Sequence, residues 1–256
     1  EAACRHGILA SMRSDSRRQA LISGVAALVG AACPFIPDAR AADVPRYELG
    51  VASGEPRPDG MVLWTRITGV DLPPAVEVQW EVAGDETFRQ VVARGSETAE
   101  VAWAHSVHAE PAGLEPARWY WYRFRALGQQ SPVGRTRTAP AADAASTLKA
   151  AIASCQRYDH GEWAAWQHMA RQDLDLVMFL GDYIYEYASP VDAFRAHEGG
   201  LVRTLEQYRR RYFQYKREPA LQAAHAAFPW LLIADDHEVE NDYANDRSPT
   251  LSGPAL

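Results

Sequence analysis

The chain has 256 residues, enough for one large domain or two modest ones. Hydrophobic residues make up 47% and charged residues 23%, a globular composition that excludes wholesale disorder. The formal net charge of -7 argues against a polyanion binder acting by charge alone, yet leaves phosphate esters open, because bound cations would invert the local potential.

The chain opens on Glu1 and its first methionine is Met12, so residues 1–11 are expected to lie upstream of the start. From Met12 a basic stretch with Arg17 and Arg18 leads into an apolar run over residues 20–32, followed by the small-residue site Ala39-Arg40-Ala41. This is the layout of a secretory signal. The adjacent arginines point to twin-arginine export of an already folded protein, with an ordinary Sec signal as the alternative. The apolar run is too short to span a bilayer, and no later stretch reaches the roughly twenty residues needed. The protein is therefore expected in the periplasm or secreted, with the twin-arginine machinery as a transient partner and no obligate protein partner evident. Cys4 and Cys33 fall in the segment expected to be removed, which leaves Cys155 without a partner for an internal disulfide.

Residues 47–138 show no helical periodicity. Short β-rich runs at 47–52, 61–67, 76–82, 88–94, 101–107, 119–126 and 134–138 alternate with turn signals such as Pro73-Pro74 and Gly84-Asp85. That spacing predicts an all-β sandwich. Residues 113–126 resemble the late strand of a fibronectin-III-like module, with Leu114 and Pro116 at a corner and Tyr120 as its corner tyrosine.

Residues 139–146 (APAADAAS) read as a linker. Beyond it, strands are expected at 148–153, 174–180 and 230–234, and helices at 162–171 and 202–227. The run Leu174–Leu180 is nearly unbroken in apolar character, as a parallel strand covered on both faces would be. Alternation of strand and helix predicts an α/β unit with a parallel sheet. The expected organisation is an export segment over 1–42, a fibronectin-III/Ig-like β-sandwich over 43–140, and the first part of an α/β domain over 141–256.

The three expected sheet strands each end in polar residues: Ser154-Cys155-Gln156, Gly181-Asp182-Tyr183-Ile184-Tyr185-Glu186, and Asp235-Asp236-His237-Glu238. In open α/β sheets, ligands sit beyond the carboxyl ends of strands. A carboxylate at Asp182 is suited to sit between two cations. A phenol at Tyr185 titrates near ~10 and binds as phenolate only to a strongly Lewis-acidic ion. Cys155 could add a thiolate, Asp236 suits a hard cation, and His237 suits a metal or a phosphoryl oxygen. Read singly, Cys155 fits a core position, Asp235 and Asp236 fit a helix N-cap, and Glu186, Glu238 and Glu240 fit ordinary surface charges. The run Arg209-Arg210-Arg211 fits a solvated helix face, and His197 has no motif context.

The Gly-Asp-x-x-Tyr block at Gly181–Tyr185 is similar to that of purple acid phosphatases and related metallophosphoesterases, with Asp236-His237-Glu238 in the place of their Asn-His-Glu block. The Ser-Cys-Gln, Gly-Asp-Tyr-Ile-Tyr-Glu and Asp-Asp-His-Glu variants resemble the PhoD-like alkaline phosphatases, as do residues 49–56 and 59–66. The resemblance implies hydrolysis of phosphate mono- or diesters by a metal-activated water, with iron (Fe3+) and calcium as cofactors. It implies Cys155, Asp182 and Tyr185 as iron ligands, Asp182 bridging, Asp236 on calcium with help from Asn241 or Asp242, and His237 beside the reacting phosphate. Members of that family are longer, so further ligands are expected beyond Leu256, and this piece alone is expected to hold metal poorly. Two rivals are a nuclease or nucleotide phosphodiesterase on the same scaffold, and a non-catalytic exported module that binds through its sandwich.

Overall fold

The computed structural model describes residues 44–245 and 247–249. The expected export signal, with Cys4 and Cys33, lies outside the described residues.

Eight strands precede the linker: β1 (Val51–Arg57), β2 (Gly60–Arg66), β3 (Ala75–Ala83), β4 (Val91–Glu100), β5 (Ser106–Ala109), β6 (Trp119–Ala126), β7 (Gln129–Gln130) and β8 (Gly134–Arg137). Alternation sets their faces. In β6, Tyr120, Tyr122, Phe124 and Ala126 point inward while Trp119, Trp121, Arg123 and Arg125 are more exposed. In β3, Val76, Val78, Trp80 and Val82 are the buried set. These side chains meet Met61, Leu63 and Ile67 in one core between two sheets. The Tyr120 hydroxyl accepts a hydrogen bond from the Glu115 amide at 2.9 Å, which fixes the corner beside buried Leu114.

The α/β part contains β9 (Ala150–Ala153), α1 (Ala164–Met169), β10 (Leu176–Leu180), α2 (Leu205–Lys216), α3 (Pro219–Ala227) and β11 (Pro229–Ile233). The expected helix over 202–227 is two helices. Thr204 and Gln207 form a capping box that starts α2. Pro219 opens α3 and disfavours helical backbone at Glu218, so the chain breaks there. The first strand starts later than expected, because Gly50 turns at φ 67. Residues 101–103 form a 3-10 turn instead of strand.

Parallel pairing of β1 with β11 joins the two parts into one six-stranded sheet of order β5-β2-β1-β11-β10-β9. The sheet therefore runs across the expected boundary at 140. Gly54 lies opposite Trp230, and a Cβ there would come within 2.8 Å of the Trp230 carbonyl oxygen. The Gln222 side-chain amide also donates to the Glu48 carbonyl at 2.7 Å. The other sheet, β4-β3-β6-β7 with β8 on β6, is antiparallel.

Helices α1–α3 cover one face of β9–β11, where Trp166, Val177, Phe179, Leu221, Phe228 and Trp230 pack together. The expectation that this sheet is covered on both faces is not met. On the opposite face, among the described residues, Ile152, Leu180 and Ile233 are 67%, 46% and 61% exposed.

Two residues expected to be bland hold the loop after β10. Arg211 is buried, and its guanidinium donates to the carbonyls of Tyr185, Tyr187 and Gly200. It is no solvated-face residue. His197 is also buried, with Nε2 at 2.7 Å from the Tyr215 hydroxyl and Nδ1 at 3.0 Å from Ser189 Oγ.

Burial, then the Arg211 charge, push the His197 pKa down to about 4. An unfolded histidine titrates near ~6.5. Between these values the unfolded chain binds the extra proton, so stability is full above the unfolded value and falls as pH drops towards 4, by roughly 3 kcal/mol at most. Urea unfolding at pH 4.5 and 7 checks this. The stability gap should shrink clearly in His197→Gln, which keeps hydrogen-bonding atoms but does not titrate; an unchanged gap would show that His197 contributes none of it.

Candidate metal centre

The site follows from strand register. In the parallel set, Ala153 lies beside Phe179, and Leu180 lies beside Ile233. The three strands end at one level, and Cys155, Asp182 and Asp236 lie just past those ends. The loops stay linked beyond the strands, because the Cys155 amide donates to the Gly181 carbonyl at 3.1 Å and the Gln156 amide to the Asp182 carbonyl at 3.2 Å.

The turn after β10 needs its glycine. Gly181 has φ +91, and a Cβ there would lie 2.3 Å from the Asp235 Cβ. Cys155, Asp182 and Asp242 hold left-handed backbone at φ 59, 57 and 60. Such positions cost of order 1–3 kcal/mol each and persist only where the surrounding structure holds them.

Asp182, Asp236 and His237 each bring a ligand atom to within 4.8 Å of the other two. Asp182 Oδ2 accepts from the Tyr185 hydroxyl at 2.8 Å. Asp182 Oδ1 is buried and has no hydrogen-bond partner among the described residues. A buried carboxylate oxygen without a donor is costly in a protein of this polarity, and a cation is the partner that two carboxylates and an imidazole fit. The residues present therefore suit a divalent or trivalent ion held by Asp182, Asp236 and His237.

Two carboxylates support that triplet. Glu238 Oε2 accepts from the amides of Asp182 at 3.2 Å and Asp235 at 2.7 Å, while Oε1 accepts from the Tyr183 amide. It ties the β10 and β11 loops together. Glu186 is 2% exposed; its Oε2 lies 2.8 Å from His237 Nδ1, and its Oε1 accepts from the Asn241 amide at 3.0 Å. With Nδ1 engaged, Nε2 is the His237 atom left for an ion. Neither glutamate is an ordinary surface charge. A single carboxylate carries no periodic signal; the cue available in the sequence is adjacency, since Glu186 follows Tyr185 and Glu238 follows His237.

The remaining candidates lie around this centre. Tyr185 packs 4.2 Å from the His237 ring, centroid to centroid. Burial, then the hydrogen bond to Asp182 and its charge, push the Tyr185 phenol up, with a smaller push from the neighbouring Cys155 thiol. The Tyr185 phenol thus holds its proton in a hydrogen bond to Asp182, and only a strongly Lewis-acidic ion would displace that proton. Cys155 is exposed, beside Tyr185 but outside the triplet. The Asp242 amide donates to Asp236 Oδ2 at 2.6 Å, and the Asn241 side chain turns to Asp242 Oδ2 at 2.7 Å. Asn241 and Asp242 therefore brace Asp236 from outside the triplet. A cavity of about 740 Å³ opens alongside, lined by Glu186, Tyr187, Leu205, Tyr208, Asn241 and Asp242 among others.

Glu238→Gln replaces a carboxylate that faces three backbone N–H groups with an amide that can present N–H of its own. Hydrogen bonds to a charged acceptor contribute about 1.5–3 kcal/mol each. The variant is expected to lose several °C in melting temperature. In a metal titration it should also bind at least tenfold more weakly, as supporting partners of metal ligands do. Unchanged melting and binding would remove Glu238 from the account.

The sequence matches the family described as PhoD-like phosphatase, N-terminal domain, over residues 32–140, and that described as PhoD-like phosphatase over residues 150–252. Alkaline phosphatase D of Bacillus subtilis (strain 168) is 50% identical over 211 residues, which cover 78% of this chain and 36% of that protein. A solved structure of PhoD superposes with a TM-score of 0.79 at 48% identity, covering 82% of this chain and 43% of that one. The chain thus spans less than half the length of these relatives. With both halves of its sequence matched and the strand-end loops in register, this chain belongs to the PhoD-like phosphatase family.

Proposed function

We propose that the full-length protein is an exported hydrolase of phosphate mono- or diesters, and that Asp182, Asp236 and His237 form part of its metal centre. The observation that carries this reading is the buried Asp182 Oδ1, without a hydrogen-bond partner among the described residues, inside a triplet of ligand-type side chains. The −7 net charge is compatible with an anionic substrate only if cations dominate locally.

Iron and calcium, when bound, would supply Lewis-acid charge for the phosphoryl oxygens and would acidify a water as nucleophile. Asp182 would be the bridging carboxylate, as the family resemblance implies; in support, its Oδ1 has no hydrogen-bond partner among the described residues while Oδ2 takes the Tyr185 hydroxyl. His237 is held by Glu186 through Nδ1 in a fixed ring orientation, which leaves Nε2 for the ion and sets the imidazole beside the place of the reacting phosphate. Cys155 and Tyr185 fit as additional ligands on the iron side, and Asp236, braced by the Asp242 amide, on the calcium side. The apolar, aromatic cavity beside the centre suits the organic part of the ester.

The bare apolar face carrying Ile152, Leu180 and Ile233 fits a protein in which further chain covers the sheet and completes the ligand set. Among the described residues no helix is long and apolar enough to cross a membrane. The twin-arginine reading of Arg17 and Arg18 supports export to the periplasm or beyond.

Asp182→Asn, made in a protein extended to the length of the relatives, is expected to lower phosphatase turnover by more than about 100-fold, the scale of losing a group aimed at developing charge. Elemental analysis should show loss of metal in parallel. Near-normal turnover would refute the bridging role, and full activity in a metal-free sample would refute the reading as a whole.

A further inference from the structure

We propose that Lys216 is a reactive amine at a second site, distinct from the metal triplet, which takes an aromatic aldehyde as an imine. The chain holds 26 Lys and Arg residues, yet only Lys149 and Lys216 are lysines. Arginine cannot shed its proton near neutral pH and cannot serve as an amine nucleophile. Of these two, Lys216 has the unusual surroundings.

Lys216 ends α2 and lines a cavity of about 500 Å³, in the range of small-molecule sites. Its Nζ lies 4.2 Å from the centroid of the Trp64 ring and 5.4 Å from that of Tyr183. No ion pair or side-chain hydrogen bond engages it among the described residues, although nine other pairs with lysine or arginine are formed. The walls are aromatic: Trp64 from β2, Trp230 from β11, and Tyr212 from α2 itself. The other titratable groups lining the cavity are His108 on β5, His225 on α3, Tyr183 after β10, Glu55 on β1 and Glu238 after β11. His225 Nε2 is taken by the Tyr183 hydroxyl at 2.7 Å, and Glu238 by the backbone amides already described. None of Asp182, Asp236 and His237 lines this cavity.

An ammonium without a counter-ion in an apolar cavity favours its neutral form. Burial pushes Lys216 down to about 7. Lys149 offers the internal contrast, because it is exposed, paired with Asp173, and pushed up by that pair. Near neutral pH Lys216 therefore holds far more free base than an ordinary lysine, which titrates near ~10.4. The free amine adds to the carbonyl carbon of an aldehyde; the C–O bond then breaks, and the oxygen leaves as water with the two amine hydrogens. The product is a C=N bond, with no oxidant or reductant required. The indole and phenol walls give an aromatic aldehyde ring a stacking surface.

The test is competitive labelling of the intact folded chain with benzaldehyde at pH 7. Cyanoborohydride fixes any imine by hydride transfer to its carbon, and peptide mass spectrometry reads the benzyl adduct at each lysine. Lys216 should be labelled at least tenfold faster than Lys149, with a rate half-maximal near pH 7, and the preference should vanish in urea. Acetaldehyde, which lacks the ring, should show a smaller preference. Labelling of Lys149 at an equal or greater rate, or no label on Lys216, would overturn the assignment; an equal preference with acetaldehyde would overturn its aromatic part. Lys216→Arg should abolish the signal at that peptide without altering label on Lys149.

Discussion

Parallel registration of β9, β10 and β11 is the constraint on which the rest of this molecule depends. Because these strands end at one level, the side chains that follow them must share one small region. The register is set by burial on a single face. Val177, Phe179 and Trp230 lie under helices α1–α3, and burying each such side chain contributes roughly 1.5–3 kcal/mol. A slip of one residue would turn these side chains to the opposite face and present Met178 and Leu231 to the helices instead. The candidate metal centre is thus specified largely by packing several residues away from it.

The loops themselves are fixed by charge. Glu238 spans the β10 and β11 loops through backbone amides, and Glu186 reaches back from one loop to the histidine of the other. Arg211 closes the arrangement from behind by holding the carbonyls on either side of Glu186. These groups form a frame of carboxylates and one guanidinium around three ligand-type side chains. Within that frame, left-handed backbone at Cys155, Asp182 and Asp242 is tolerated because neighbouring hydrogen bonds leave few alternatives. Parallel pairing of β1 with β11 adds the sandwich to the same rigid sheet, so the centre rests on both parts of the chain.

Much of this was legible in the residues. The span 119–126 agrees with β6 at both ends, because alternation over eight residues with aromatics on one face has no helical reading. The motif at Gly181–Tyr185 located the turn and its bridging-type carboxylate, since a glycine followed by an aspartate after an apolar run is a local signal. What escaped was non-local. Glu186, Glu238 and Arg211 carry no pattern that separates a buried bracing charge from a surface one; only the fold brings each to its partners. The continuity of the sheet across 140 was likewise hidden, because pairing between Gly54 and Trp230 links residues far apart in the chain and leaves no period in either strand. The helical stretch 202–227 was read as one element although Pro219 marks its break.

The central claim is that one ion can be gripped by side chains from two adjacent strand ends. The most direct measurement is a crystal structure of the protein extended to the length of its relatives, after soaking with manganese, with the ion located by its anomalous signal. The account predicts an ion bonded to Asp182 Oδ1, an oxygen of Asp236 and His237 Nε2 at distances of about 2.0–2.6 Å. An ion bound elsewhere, with Asp182 Oδ1 left without any partner at the same metal concentration, would contradict it.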